Sequence, residues 1–128
     1  MLQAYFDGSS QNGRCGGDVV LFLHSDHCFK IKCGLGPRTN NYVELYSLKL
    51  LLLFAIEKVC RQCQVFGESQ VIIDWFNWKS TCHVHIVRNI LDEVLMIKEQ
   101  YDLVTCHHIY RERNTISGRL SKEGMHQA

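Results

Sequence analysis

The chain has 128 residues, of which 46% are hydrophobic and 21% charged, with a formal net charge of +1. That length suits one domain, residues 1–128, with a buried core, and the near-neutral charge neither implies nor forbids a nucleic-acid partner. The longest apolar run, Leu50 to Ile56, is too short to span a bilayer, and no basic stretch leads into an apolar segment at Met1, so a soluble chain with no membrane partner and no secretory signal is expected.

Seven cysteines, an odd number, are scattered through strand-like and helix-like segments. This argues against a disulfide framework and for a reducing compartment, cytoplasm or nucleus. Cys60 and Cys63 form a CxxC pair with no second pair to complete a zinc site, and free cysteine is mostly a small buried hydrophobe.

In chain order, Leu2 to Asp7 reads as a strand, followed by a glycine-rich connection from Ser9 to Gly17. Asp18 to His24 and His27 to Gly34 are rich in β-formers and are separated by a short polar turn, which predicts a hairpin. A loop holding the single proline leads to the strongest helical segment, Tyr42 to Cys60, with Asn40 or Asn41 as the expected cap. Leucines crowd nearly every face of that helix, so it is expected to pack centrally. Gln64 to Gly67 is a short strand, and Ser69 to Trp78 a helix opened by a capping serine. His85 to Gln100 is a third helix with Ile86, Ile90, Val94 and Ile97 at helical spacing. Leu103 to Tyr110 is a fifth strand and Thr115 to Gly124 a short final helix. Three strands followed by alternating helices and strands imply an α/β fold with a mixed sheet, and sites in such sheets form at the carboxyl ends of the parallel strands.

Asp7 ends the first strand at an Asp-Gly pair, ordinarily a turn signal. Glu68 ends the fourth strand, and Glu44 lies in the expected first turn of the central helix. Alone, each has a plain structural explanation: a turn starter, a solvated turn residue and an acid facing the helix dipole. If the first and fourth strands are parallel neighbours, the three carboxylates converge. Such a cluster needs a cation, and hard oxygen donors suit Mg²⁺ or Mn²⁺.

The stretches YFDGSS, TNNYVELYSL, VFGESQVIIDW and HIYRERNTISGRLSKEG, in this order and spacing, resemble ribonuclease H. The similarity is to the compact plant type associated with retroelement reverse transcriptases, and it covers essentially the whole chain. It implies a five-stranded mixed sheet in the order 3-2-1-4-5, with strand two antiparallel and helices on both faces. It also implies hydrolysis of the RNA strand of RNA/DNA hybrids by Mg²⁺ or Mn²⁺ ions held between acids. Matched to the family's motifs, Asp7, Glu44 and Glu68 are the catalytic and metal-holding residues. Glu68 stands where the family has an aspartate, and Gly118 stands at the position of a fourth acid, so that ligand is lost. Gly8, Ser9, Ser10, Thr39, Asn40, Asn41, Ser69 and Asn114 match positions that meet nucleic acid. Trp78, beside Lys79, is expected to pack on a sugar-phosphate backbone, with Trp75 in the core.

Two functions follow from these expectations. One is a metal-dependent endonuclease acting on hybrids, impaired by the longer acid at 68 and the loss at 118. The other is a catalytically degenerate module of the same fold that binds nucleic acid weakly or recruits a protein partner.

Overall fold

The computed structural model describes residues 2–11, 14–24, 27–36, 40–58 and 60–110. Five strands form one sheet in the order β3-β2-β1-β4-β5. They are β1 (Leu2–Gln11), β2 (Arg14–His24), β3 (His27–Gly36), β4 (Gln62–Gly67) and β5 (Leu103–His108). β2 is antiparallel to both its neighbours, whereas β1, β4 and β5 run parallel. Three helices lie between strands: α1 (Asn40–Glu57), α2 (Gln70–Phe76) and α3 (His85–Lys98).

Strand alternation sorts the sheet into two faces. Leu2, Ala4 and Phe6 of β1, Val19 and Leu21 of β2, Cys63 and Val65 of β4 and Cys106 of β5 join one core with the buried residues of α1, α2 and α3. The three helices therefore cover the same face. The opposite face carries a row of rings, with Tyr5 edge-on to Phe22 and stacked on Phe66, and Phe66 tilted against His107. The short final helix expected from Thr115 to Gly124 lies outside the described residues.

α1 is the centre of the packing, with Val43, Leu45, Leu48, Leu51, Leu52 and Ala55 all fully buried. Ser47, the one buried polar side chain among the described residues, returns its hydroxyl to the carbonyl of Val43 at 2.9 Å, which meets its hydrogen-bonding need within the helix. Tyr101 donates its hydroxyl to the carbonyl of Leu52 at 2.6 Å, and Lys49 pairs with Glu93 at 2.9 Å, tying α1 to the α3 layer. Among the described residues no helix is long and apolar enough to cross a membrane.

Several boundaries differ from the sequence expectations. β1 does not stop at Asp7: it continues to Gln11, and β2 starts at Arg14, so the expected connection from Ser9 to Gly17 is a continued ladder with Ser9 opposite Gly16 and Gln11 opposite Arg14. Only Asn12 and Gly13 separate the two strands in sequence, and Asn-Gly between strands is a strong hairpin signal. α1 begins at Asn40, so Asn40 and Asn41 are helical residues rather than caps, and Glu44 lies beyond the first turn. The same helix ends at Glu57, and Cys60 folds back on it through a bond from its N–H to the carbonyl of Ala55. β5 ends at His108, two residues short of the expected limit. On α3 the inward stripe is Val87, Ile90, Leu91, Val94 and Ile97, while Ile86 is 73% exposed. Val87 precedes Ile90 and Leu91 by three and four residues, so the stripe starts there, and Ile86 is rotated about 100° off it.

Candidate active site

Asp7 lies within β1, opposite Asp18 of β2 and one residue past the pairing of Phe6 with Gly67 of β4. Glu68 follows Gly67 directly, so parallel pairing sets Asp7 and Glu68 level on adjoining strands, which run about 4.8 Å apart. Glu44 reaches the same place from α1, and Gly8 makes that approach possible. A Cβ at position 8 would meet Cγ of Glu44 at 2.6 Å and its backbone nitrogen at 3.3 Å. Residues distant in the chain are thus gathered by one parallel strand pair and one close helix–strand contact.

The gathering is electrostatically costly. The Asp7 carboxyl is pushed from 3.8 up to about 7, first by burial, then by the charge of Glu68, a hydrogen bond shared with Glu68 and the charge of Glu44. The Gly8 backbone N–H, donating to Asp7, opposes this only in part. Glu44 is raised as well, by burial and by Glu68, while the Ser69 hydroxyl donates to its carboxylate and pulls the other way. Ser69 has a second duty as the N-cap of α2, its hydroxyl oxygen accepting from the N–H of Ile72 at 3.4 Å. Replacing it in Ser69→Ala is expected to lower stability by about 1 kcal/mol in urea melts, whereas Ser69→Thr, which keeps the hydroxyl, stays near wild type.

The donor set suits a hard divalent cation, since all three groups are carboxylates and their mutual repulsion is what a cation relieves. The side chains are not closed around a common point. Among the described residues no group of three His, Cys, Asp or Glu is arranged to hold an ion, and Asp7 and Glu68 share a hydrogen bond instead.

The remaining candidates are distributed unevenly. Asn41 is half-buried in the first turn of α1, with Asn40 before it. Ser9 and Ser10 continue β1 beyond the acids. Thr39, Asn114 and Gly118 lie outside the described residues. Trp75 is in the core at 8% exposure, whereas Trp78 is 72% exposed. Trp78 is not on the helix: α2 stops at Phe76, Asn77 caps it, and Trp78 takes a left-handed backbone with φ 62°. Beside it an open cleft is lined by Trp75, Trp78, Ser80, Thr81, Arg88 and Asp92. Two residues of this region, Asn77 and Lys98, carry no recognisable sequence signal, because their roles are bonds to backbone carbonyls far away in the chain: Cys106 for Asn77 and Phe76 for Lys98.

A family model described as reverse transcriptase-like matches residues 5–124. No curated protein matches by sequence. Among solved structures, the chain is similar to ribonuclease H1 from the halophilic archaeon Halobacterium salinarum, at 20% identity and a TM-score of 0.81 over 89% of each chain. It is similar also to the N-terminal ribonuclease H domain of Rv2228c from Mycobacterium tuberculosis, at 18% identity and a TM-score of 0.83, covering 89% of this chain and 90% of that one. A third similar structure is LC11 ribonuclease H1 in complex with an RNA/DNA hybrid, at 20% identity and a TM-score of 0.75, covering 89% and 88%.

Proposed function

The chain belongs to the reverse transcriptase-like family and has the ribonuclease H fold, and on that premise we propose that it is a single-domain ribonuclease H-type module that binds RNA/DNA hybrids and cleaves their RNA strand slowly, with divalent metal. The observation that carries this reading is the gathering of Asp7, Glu44 and Glu68 at one end of the β1–β4 pair, where burial first, then the charge of Glu68, its shared hydrogen bond and the charge of Glu44 raise the Asp7 carboxyl to about 7. A fold stabilised for its own sake would not bring three half-buried acids together, because Asp7 and Glu44 are both made harder to ionise by burial and by the charge of Glu68.

In this reading Asp7, Glu44 and Glu68 would hold Mg²⁺ or Mn²⁺, which when bound would supply Lewis-acid stabilisation of charge at the scissile phosphate. Ser69 holds the Glu44 carboxylate through its hydroxyl, Asn40 and Asn41 face the minor groove, where a ribose 2′-hydroxyl separates RNA from DNA, and Trp78 packs against the backbone of one strand. Asp7 and Glu68 could both hold an ion only once the hydrogen bond between them was broken. That requirement, together with glycine at position 118 in place of an acid, supports a slow enzyme.

The test is cleavage of an end-labelled hybrid in Mn²⁺ and in Mg²⁺, with Asp7→Asn purified alongside. Metal-dependent cleavage by the wild type that falls at least about a hundredfold in Asp7→Asn supports the proposal. Equal background cleavage by both, with hybrid binding retained, moves the assignment to a binding module of the same fold.

A further inference from the structure

The turn after α2 is built for a glycine and holds a tryptophan. Trp78 N–H bonds to the carbonyl of Trp75 at 3.3 Å and Lys79 N–H to the carbonyl of Asp74 at 2.8 Å, the paired bonds of a Schellman motif. Trp78 therefore occupies the position just past the cap, with φ 62°, where glycine is usual because a side chain there is strained. A large side chain at such a position costs stability without burying its ring, and this one leaves its indole 72% exposed beside the cleft, which points to use.

The strained turn is clamped from two sides. Asn77 donates its side-chain amide to the carbonyl of Cys106 on β5 at 3.1 Å. Lys98, the last residue of α3, donates to the carbonyl of Phe76 at 2.6 Å and lies 4.3 Å from the centre of the Phe76 ring. That carbonyl is one of the groups a helix end leaves without an intrahelical partner. The Lys98 ammonium is thus aimed inward at the turn, half-buried, rather than out at a phosphate.

We propose that Asn77 and Lys98 are positioning residues that hold the Schellman turn so that the Trp78 indole stands over the cleft as a nucleic-acid contact. This rests on the reading of the chain as a hybrid-binding module. Asn77 ties the turn to the sheet, Lys98 ties it to α3, and together they offset the strain of a left-handed tryptophan. Neither side chain touches the hybrid itself.

The experiment uses the full chain labelled with 5-fluorotryptophan, which reports Trp75 and Trp78 as separate fluorine resonances, together with hybrid affinity at fixed salt. Asn77→Ala and Lys98→Met are expected to shift or broaden the Trp78 resonance, leave that of buried Trp75 in place, and weaken hybrid binding about tenfold, as Trp78→Ala does. Lys98→Arg is expected to restore both. Adding Trp78→Ala to Lys98→Met is expected to cause no further loss, because a positioning residue has nothing left to position; an independent charge effect would add instead. Trp78→Gly is expected to raise Tm by a few degrees while weakening binding, since it relieves the strain and removes the contact. An unmoved Trp78 resonance in both Asn77→Ala and Lys98→Met, or additive losses in the double variant, overturns the positioning role. Unchanged affinity in Trp78→Ala with the resonance shifts intact overturns the contact, and with it the hybrid-binding reading of this cleft, while the clamp stands.

Discussion

Asp7→Asn is expected to make the metal-free protein more stable at pH 8, by about 1–2 kcal/mol, although it removes a residue of the proposed active site. The Asp7 carboxyl is raised from 3.8 to about 7 in the fold, so the native state holds a proton that the unfolded chain releases above about pH 4. The stability contributed by the protonated form is complete below about pH 4 and is lost as pH rises through about 7. Taken at face value, a shift of this size corresponds to about 4 kcal/mol; Asp7 is only half-buried, and solvent screening reduces this to the smaller figure. Asparagine cannot carry the charge, so the variant's stability stays flat across that window and matches the wild type only at acid pH. Under the proposed function, saturating Mn²⁺ is expected to restore the wild type at pH 8 and leave the variant unmoved, because only the wild type would gain binding energy in its native state. Urea melts at pH 4, 6 and 8, with and without metal, measure all of this. A variant less stable than the wild type at pH 8 would show that the three carboxylates do not repel as their arrangement implies.

Gly67→Ala is expected to cost about 1–3 kcal/mol and to impair the site as well. A Cβ on Gly67 would stand 2.5 Å from Cε1 and Cζ of Phe6, whose ring is 1% exposed and walled in by the core. The clash falls on the last register pair between β1 and β4, immediately before Asp7 and Glu68. Relief by spreading the strands moves one carboxylate away from the other, and a displacement of about 1 Å in a site of this kind lowers the rate on the order of a hundredfold. Thermal melts and hybrid cleavage read the two effects separately. Phe6→Leu in the same chain makes room and is expected to recover part of the stability; failure to do so would place the cost of Gly67→Ala elsewhere than in the Phe6 contact.

The legible part of this protein is the part carried by near neighbours in the chain. β-branched and aromatic runs mark the strands, the leucine-rich stretch marks α1 as a central helix, and Ser69 announces the start of α2 by its own capping chemistry. The acids Asp7, Glu44 and Glu68 were identifiable through the motifs around them. Where local pattern misled, the cause was one of phase or of competing signals: Ile86 fits a helical spacing one residue out of step with the face that packs, and β1 and β2 are separated by only two residues in sequence where the glycines around them suggested an open connection.

What sequence alone determined, then, is the α/β order of elements and the presence of the acids, because propensity, capping and residue chemistry act over a few residues. What tertiary structure decided is how those residues meet. Only the β1–β4 register sets Asp7 level with Glu68, and only the bare backbone of Gly8 admits Glu44 beside them. Trp78 reads in the sequence as the tail of a helix, yet a Schellman turn, held by Asn77 to a carbonyl 29 residues on and by Lys98 from 22 residues away, swings it outward. Bonds of that span involve backbone carbonyls, which every residue carries alike, so no side-chain pattern encodes their partner, and it is packing that selects it.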